Sequence, residues 1–291
     1  MSLQLVFGNS GSGKSDYVCR KVLAQSKEEP ERTFFVLVPE QFTMQMQREF
    51  VARQEHHCIM NVDVVSFNRL AYRIFDELGM GNLNILEETG KNLVLRRVAG
   101  QQQEQLVLMK SSMKKAGYIS EIKSIISEMT QYRIAPGQLD ALIEQEAQPP
   151  LLRYKILDIQ TMYQGFEDYL QGKFITAEEV LEVFSQVAEE SKLLKDSVIV
   201  MDGFTGFTPV QYHLLERLIS IAGEILVTVT LDEREDPYLC RGVQELFYMS
   251  KKTVQALSEI AVRKHVEIKD PVWMCHGEKT RFAHSPALLW L

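Results

Sequence analysis

Apolar positions in the first third of the chain follow two alternating periods. Apolar-rich runs near residues 3–7 and 33–38 are typical of buried strands, and residues 61–65 (N-V-D-V-V) predict a third strand. Between these runs apolar residues recur every three or four positions, as along Phe67–Leu78, which predicts amphipathic helices. Strands that alternate with helices in this way predict an α/β fold with a parallel sheet flanked by helices.

The pattern changes between residues 84 and 195. Long helical periods replace the strands, over Thr89–Val98, Tyr118–Tyr132, Leu151–Leu170 and Ala177–Ala188. The strand–helix alternation resumes at Val198–Met201. We therefore predict one α/β domain built from residues 1–83 and 196–291, with an all-helical insertion over residues 84–195.

One polar, glycine-rich stretch separates the first predicted strand from the first predicted helix. It reads Gly8-Asn9-Ser10-Gly11-Ser12-Gly13-Lys14-Ser15 and fits the phosphate-binding pattern G-x-x-x-x-G-K-[ST]. In such a P-loop the backbone N–H groups surround phosphate oxygens, and the helix N-terminus adds positive partial charge. Lys14 is expected to reach the β- and γ-phosphates of ATP, and the Ser15 hydroxyl to bind Mg²⁺. The strand and helix on either side argue against a chance glycine-rich turn.

A second magnesium contact is predicted at the end of the strand Val198–Met201. Asp202 follows this apolar run directly, so the strand would deliver its carboxylate to the edge of the sheet where the P-loop lies. The alternative is that Asp202 only begins a turn with Gly203. ATP-hydrolysing motors commonly carry a glutamate at the position of Gly203, where it orients the attacking water. The sequence therefore supports binding of ATP and Mg²⁺ more strongly than hydrolysis, and we assign no catalytic residue.

Composition and charge narrow the class of protein. The chain of 291 residues is 45% hydrophobic and carries a net charge of −7, which argues against a protein that coats nucleic acid but leaves room for a local basic groove. It contains no apolar run of the roughly 20 residues that a membrane span needs, and its start lacks the features of a signal peptide. Cys19, Cys58, Cys240 and Cys275 are scattered, so we expect a cytoplasmic protein with reduced thiols and no structural metal. The apolar last residues, Pro286–Leu291, suggest an internal cut rather than a natural terminus.

Four segments in fixed order carry a family resemblance. They are N-S-G-S-G-K-S at residues 9–15, L-V-P-E-Q-F-T at 37–43, S-F-N-R-L-A-Y-R at 66–73 and D-G-F-T-G-F-T-P at 202–209. With them the chain resembles, over essentially its whole length, the N-terminal part of AddB, the B subunit of bacterial AddAB (RexAB-like) helicase–nucleases. Asp202, Pro209 and Gln211 also match a motif of superfamily-one, UvrD-type helicases. The resemblance implies a RecA-like P-loop domain (1A) and a 1B-like insertion.

The resemblance also implies a function. Members of this family pair with an AddA-type helicase–nuclease subunit and process the ends of broken duplex DNA for repair by homologous recombination. Their helicase-like half is degenerate and scans the emerging single strand for the Chi sequence. A second motor lobe, a nuclease domain and an iron–sulfur cluster are expected beyond Leu291.

Candidate contacts to single-stranded DNA are carried over from the family motifs. Aromatic side chains would stack on bases, and the others would bind phosphates or base edges; the residues are Gln41, Thr43, Phe67, Arg69, Tyr72 and Phe207. The alternative for each aromatic residue is a place in the core. Two other functions remain open: a small-molecule P-loop kinase with the helical insertion as its lid, and a structural subunit braced by permanently bound ATP.

Overall fold

The computed structural model describes residues 1–54, 60–81, 83–144 and 149–274. Cys58, Cys275 and the apolar end Pro286–Leu291 lie outside the described residues. The chain divides into two compact units. The first contains Met1–Gly79, Phe184–Phe207 and the residues from Gln211 onward, and the second contains Met80–Val183 with Thr208–Val210.

The first unit contains a parallel sheet. Among the described residues seven strands form it: β1 Ser2–Gly8, β2 Phe34–Leu37, β3 Val62–Val65, β6 Val198–Met201, β7 Glu224–Thr230, β8 Glu267–Ile268 and β9 Val272–Met274. Their order is β3-β2-β6-β7-β1-β8, and β9 also pairs with β1. All of these pairings are parallel, which confirms the predicted α/β class. Strand β9 was not predicted.

Apolar residues on both faces of the strands explain why this sheet forms. The four residues of β2 and the four of β6 are all buried, so helices must cover the sheet on each side. The α-helices of the chain are α1 Lys14–Glu28, α2 Thr43–Ala52, α3 Phe67–Glu77, α4 Glu88–Gln101, α5 Ala116–Gln131, α6 Asp140–Ile143, α7 Pro150–Leu170, α8 Val180–Val187, α9 Pro209–Ile219 and α10 Tyr248–Arg263. One core cluster packs α1 and α2 against the sheet through Val18, Val22, Met46 and Phe50.

The second unit has its own core, formed mainly by α4, α5 and α7. The prediction that the insertion is all-helical is wrong in one detail. Two short strands, β4 Ile85–Leu86 and β5 Ile175–Thr176, pair in parallel within it. Each has only two residues, which is too short to leave a period-2 pattern in the sequence.

None of the described helices combines the length and the apolar character that crossing a membrane requires.

Candidate nucleotide site and nucleic-acid interface

The glycine-rich loop joins the end of β1 to the start of α1. Strand β1 ends at Gly8 and the helix begins at Lys14, so residues 9–13 form the turn between them. Gly11 and Gly13 have φ angles of 79° and 94°, a conformation that other residues adopt only with strain. Gly13 is also the N-cap of α1, so the loop leads directly into the positive end of that helix. The sequence predicted this context of strand, loop and helix.

The ammonium group of Lys14 is turned back onto the loop. Its Nζ donates to the carbonyl oxygens of Gly8 at 2.7 Å and Asn9 at 2.8 Å. Burial lowers the pKa of Lys14 from its ordinary value to about 8, and the negative charge of Asp202 opposes this only in part. An anion bound in the loop would give this ammonium group a negatively charged partner in place of neutral carbonyl oxygens.

Two further features of the loop suit a phosphate ligand. The hydroxyl of Ser12 is buried and has no hydrogen-bond partner among the described residues. A side chain on Gly8 would clash with that same hydroxyl, so the space requires glycine. An unpaired buried hydroxyl is costly unless a ligand or water satisfies it. The residues present therefore fit a bound nucleotide phosphate.

The carboxylate of Asp202 lies at the end of β6 and is held from β7. Thr228 Oγ1 donates to Asp202 Oδ1 at 2.6 Å, and the N–H of Gly203 donates to the same hydroxyl at 3.4 Å. Asp202 and Ser15 both line a cavity of about 230 Å³. The structure thus brings the two residues predicted to bind Mg²⁺ to one cavity, where a hydroxyl and a carboxylate are suitable ligands for that ion.

Asn9 connects the loop to the end of β7. Its Nδ2 donates to Asp232 Oδ2 at 2.8 Å. Asp232 also accepts hydrogen bonds from the backbone N–H and the guanidinium group of Arg234. The bonds from Arg234 and then from Asn9 hold the pKa of Asp232 well below its usual range. Asp232 is therefore ionised and anchors the first variable position of the loop.

The candidate DNA-binding residues follow three neighbouring strands. Because β3, β2 and β6 are adjacent and parallel, the loops after their carboxyl ends lie at one edge of the sheet. Gln41 is exposed in a short 3₁₀ turn, Glu40–Phe42, after β2. Arg69 and Tyr72 are exposed on α3, which follows β3, and the Tyr72 ring is 40% exposed. These three side chains are open to solvent at the expected edge.

Two other candidates are not open to solvent. Thr43 is 4% exposed, and its hydroxyl donates to the carbonyl oxygen of Glu40 at 2.9 Å. Phe67 is 5% exposed, because the rings of Phe204 and Phe207 pack against it at centroid distances of 5.4 Å and 6.1 Å. The expectation that Phe67 presents an open face for stacking is therefore not met.

Phe207 belongs to an aromatic cluster that is only half-buried. Its ring contacts Phe204 at 5.2 Å and Tyr212 at 5.6 Å, besides Phe67. Phe204 and Phe207 keep part of their rings at the surface, at the same edge as Asp202. The buried ring of Phe67 packs against both of these half-buried rings.

Sequence reasoning missed two residues at this edge and one farther along α3. Phe204 stands in the repeated F-T-G-F-T segment, and the repeat was a usable signal. Thr228 is a buried hydroxyl inside an apolar strand, which is itself a signal because such a group needs a partner. Arg73 is exposed one turn after Arg69 and lies 3.7 Å from the carboxylate of Asp63 in β3, and spacing along α3 could have indicated it.

These features define an α/β protein with a parallel sheet, a glycine-rich loop between the first strand and the first helix, and aromatic side chains and Arg69 at the edge beside it. The family model for the N-terminal region of ADDB matches residues 5–291. The chain therefore belongs to the AddB N-terminal family.

Curated relatives agree with this assignment. The chain is 42% identical to the B subunit of the ATP-dependent helicase/deoxyribonuclease of Lachnoclostridium phytofermentans, over 99% of this chain and 25% of the relative. Proteins of the same name from Alkaliphilus oremlandii and Bacillus cereus are 31% and 29% identical over 98% and 100% of this chain, and 26% and 25% of their own lengths. The chain thus spans about a quarter of the length of these relatives.

Proposed function

We propose that this chain is the helicase-like N-terminal region of an ATP-dependent helicase/deoxyribonuclease B subunit, with a RecA-like P-loop domain and a 1B-like insertion. It binds ATP·Mg²⁺ through Gly8–Ser15 and Asp202, and single-stranded DNA at the adjacent edge of the sheet. Its motor function is degenerate, so ATP is hydrolysed slowly or not at all. In the cell it acts in repair of double-strand breaks by homologous recombination.

The observation that carries this proposal is the common cavity of Ser15 and Asp202. A P-loop with its lysine binds the triphosphate, and a hydroxyl and a carboxylate on one cavity complete the sites that Mg²⁺ uses in nucleotide-binding proteins. When bound, the ion would neutralise phosphate charge. Gly203 provides no side chain to orient a water molecule, which supports weak turnover.

The remainder of the proposal follows from the family. The names of the relatives describe one subunit of a larger enzyme, which supports a partner subunit, and we propose an AddA-type helicase–nuclease in that role. They are also about four times as long as this chain. We assign the second motor lobe, the nuclease domain and its iron–sulfur cluster to the part of the family polypeptide outside residues 1–291. ATP and chromosomal DNA as ligands support a cytoplasmic location.

Nucleotide binding is tested by titrating a fluorescent ATP analogue with and without Mg²⁺. We expect saturable, Mg²⁺-dependent binding that weakens at least 100-fold in Lys14→Ala. The control is Lys27→Ala, which removes an exposed lysine from the far end of α1. Equal affinities of the wild type and Lys14→Ala would contradict the proposal.

DNA binding is tested by fluorescence anisotropy with a labelled single strand. Arg69→Ala combined with Arg73→Ala should weaken binding about tenfold and reduce the salt dependence by one to two ions, because each arginine that contacts a phosphate releases about one counterion. Arg263→Ala is the control, since this exposed arginine ends α10 just before β8, at the opposite edge of the sheet. An equal loss in Arg263→Ala would indicate non-specific attraction.

A further inference from the structure

The cavity that holds the proposed magnesium ligands is also lined by α2. Besides Ser15, Asp202 and Gly203, its walls include apolar side chains from β2, the turn after it and α2, and two polar ones; these residues are Val38, Phe42, Met46, Gln45 and Glu49. Gln45 and Glu49 are one helical turn apart, so they lie on the same side of α2. Neither residue belongs to the P-loop or to the motif around Asp202.

The carboxylate of Glu49 is held in place from two directions. Its Oε2 accepts a hydrogen bond from Arg53 Nη1 at 3.2 Å, and its Oε1 accepts one from Gln45 Nε2 at 3.4 Å. Arg53 also donates to Asp16 Oδ1 at 3.1 Å, and Asp16 directly follows Ser15. Arg53 therefore ties Glu49 to the first turn of α1, where the triphosphate would lie.

The charges beside this cavity also act on the buried thiol of Cys19. Burial raises the pKa of this thiol to about 12, and Arg53 opposes the rise. The negative charges of Glu49, Asp202 and Asp16 each add to the increase. The carboxylates of Glu49 on α2 and Asp202 after β6 therefore both act on the Cys19 thiol.

Hydrolysis at a P-loop is accelerated by a group that orients water beside the γ-phosphate. The position after Asp202 cannot supply it, because Gly203 has no side chain. We infer that Glu49, with Gln45 beside it, is the water-orienting residue of this nucleotide site. The inference rests on the proposed binding of ATP·Mg²⁺. The water oxygen bonds to the γ-phosphorus as the bond to the β–γ bridging oxygen breaks, ADP keeps that electron pair, and the proton of the water passes to the Glu49 carboxylate.

The test separates binding from turnover. Glu49→Gln keeps the shape of the side chain but removes its ability to accept a proton. We expect its Mg²⁺-dependent affinity for a fluorescent ATP analogue to stay within twofold of the wild type, while single-turnover hydrolysis of radiolabelled ATP falls at least tenfold. A purely structural role would change affinity and rate together, so a loss of rate at unchanged affinity separates the two roles.

Two variants complete the design. Glu259→Gln changes an exposed glutamate of α10 and should leave both affinity and rate unchanged. Gln45→Ala should lower the rate a few-fold with unchanged affinity. An unchanged rate in Glu49→Gln, or a wild type that binds ATP without measurable turnover, would overturn this inference and leave the proposed function standing. A wild type that binds no ATP would overturn both.

Discussion

Lys14 of the first unit and Lys91 of the second unit are both withdrawn from solvent, and their surroundings are opposite. In the first unit the ammonium group of Lys14 donates, within the described residues, to carbonyl oxygens, and burial lowers its pKa to about 8. In the second unit Lys91 is 1% exposed and binds both oxygens of Glu178, at 2.7 Å and 2.8 Å, and Glu88 at 2.6 Å. Burial alone would lower the pKa of Lys91, but these carboxylates raise it above its ordinary value.

The difference indicates what each lysine is for. A buried charge with matched partners holds a fold together, whereas a charge without a counterion is tolerated where a ligand supplies one. Two further buried polar groups, Asp158 and Ser12, differ in whether they have hydrogen-bond partners. Asp158 of the second unit is fully buried and accepts backbone hydrogen bonds from Val107, Leu108 and Met109, all at 2.8 Å. In the first unit the buried hydroxyl of Ser12 has no such partner among the described residues.

The largest expected effect is on stability, and it separates the two lysines when each is replaced by methionine. Lys91→Met leaves Glu178 with a buried, uncompensated charge, and we expect the free energy of unfolding to fall by about 3–5 kcal/mol. Lys14→Met should change it by about 1 kcal/mol or less, because a partly desolvated charge is removed with no carboxylate left behind. Urea denaturation followed by circular dichroism measures both values. Similar losses in the two variants would refute the contrast between the lysines.

A somewhat smaller effect is expected at Asp158. Asp158→Ala leaves three buried N–H groups without an acceptor, at a cost of about 3 kcal/mol in unfolding free energy. Hydrogen exchange should show the local consequence, with faster exchange of the amides of residues 107–109. Asp168→Ala is the matched control on the same helix, where an exposed carboxylate accepts a hydrogen bond from Gln164 at 2.9 Å. Slow exchange at residues 107–109 in Asp158→Ala would contradict the assigned role.

How much of this could be predicted from the sequence differs between the two units. The sheet and the loop of the first unit were predictable, because buried parallel strands leave continuous apolar runs and the P-loop pattern has a fixed spacing. The predicted helices of the second unit also form, within a few residues at each end. The pairings of Lys91 and Asp158 join residues far apart in the chain, so no local pattern announces them.

At the candidate site the same limit applies. The order of the loops along one sheet edge follows from topology, but exposure does not. Phe67 and Tyr72 belong to one motif, yet Phe67 is 5% and Tyr72 is 40% exposed. They are five positions apart on α3, which places them on different sides of the helix relative to the sheet. Glu49 gave no signal at all, because its relation to Asp202 exists only once α2 has packed against α1 and the sheet.

The next prediction concerns pH and the charge of Lys14. Bound phosphates should raise the pKa of Lys14 from about 8 towards or above its ordinary value, so ATP binding takes up a proton at pH values above 8. Affinity should therefore be constant near pH 7 and fall by up to tenfold per pH unit above pH 8. Isothermal titration calorimetry at pH 9, in two buffers of different ionisation enthalpy, measures the uptake directly. Lys14→Met should bind weakly and show no such uptake, whereas uptake that persists in this variant would assign it to another group.

The smallest expected effect tests the hydrogen bond between β7 and Asp202, the proposed ligand of Mg²⁺. Thr228→Val keeps the shape of the side chain but removes the hydroxyl that donates to Asp202 and accepts from the Gly203 N–H. We expect a loss of about 1 kcal/mol in unfolding free energy and a several-fold weaker Mg²⁺-dependent affinity for ATP, with Mg²⁺-independent binding unchanged. Thr230→Val, at the exposed end of the same strand, is the matched control and should change neither quantity. If Thr228→Val lost stability without any change in the magnesium dependence, the hydroxyl would serve only the fold. Asp202 would then have to be oriented for the ion by β6 alone.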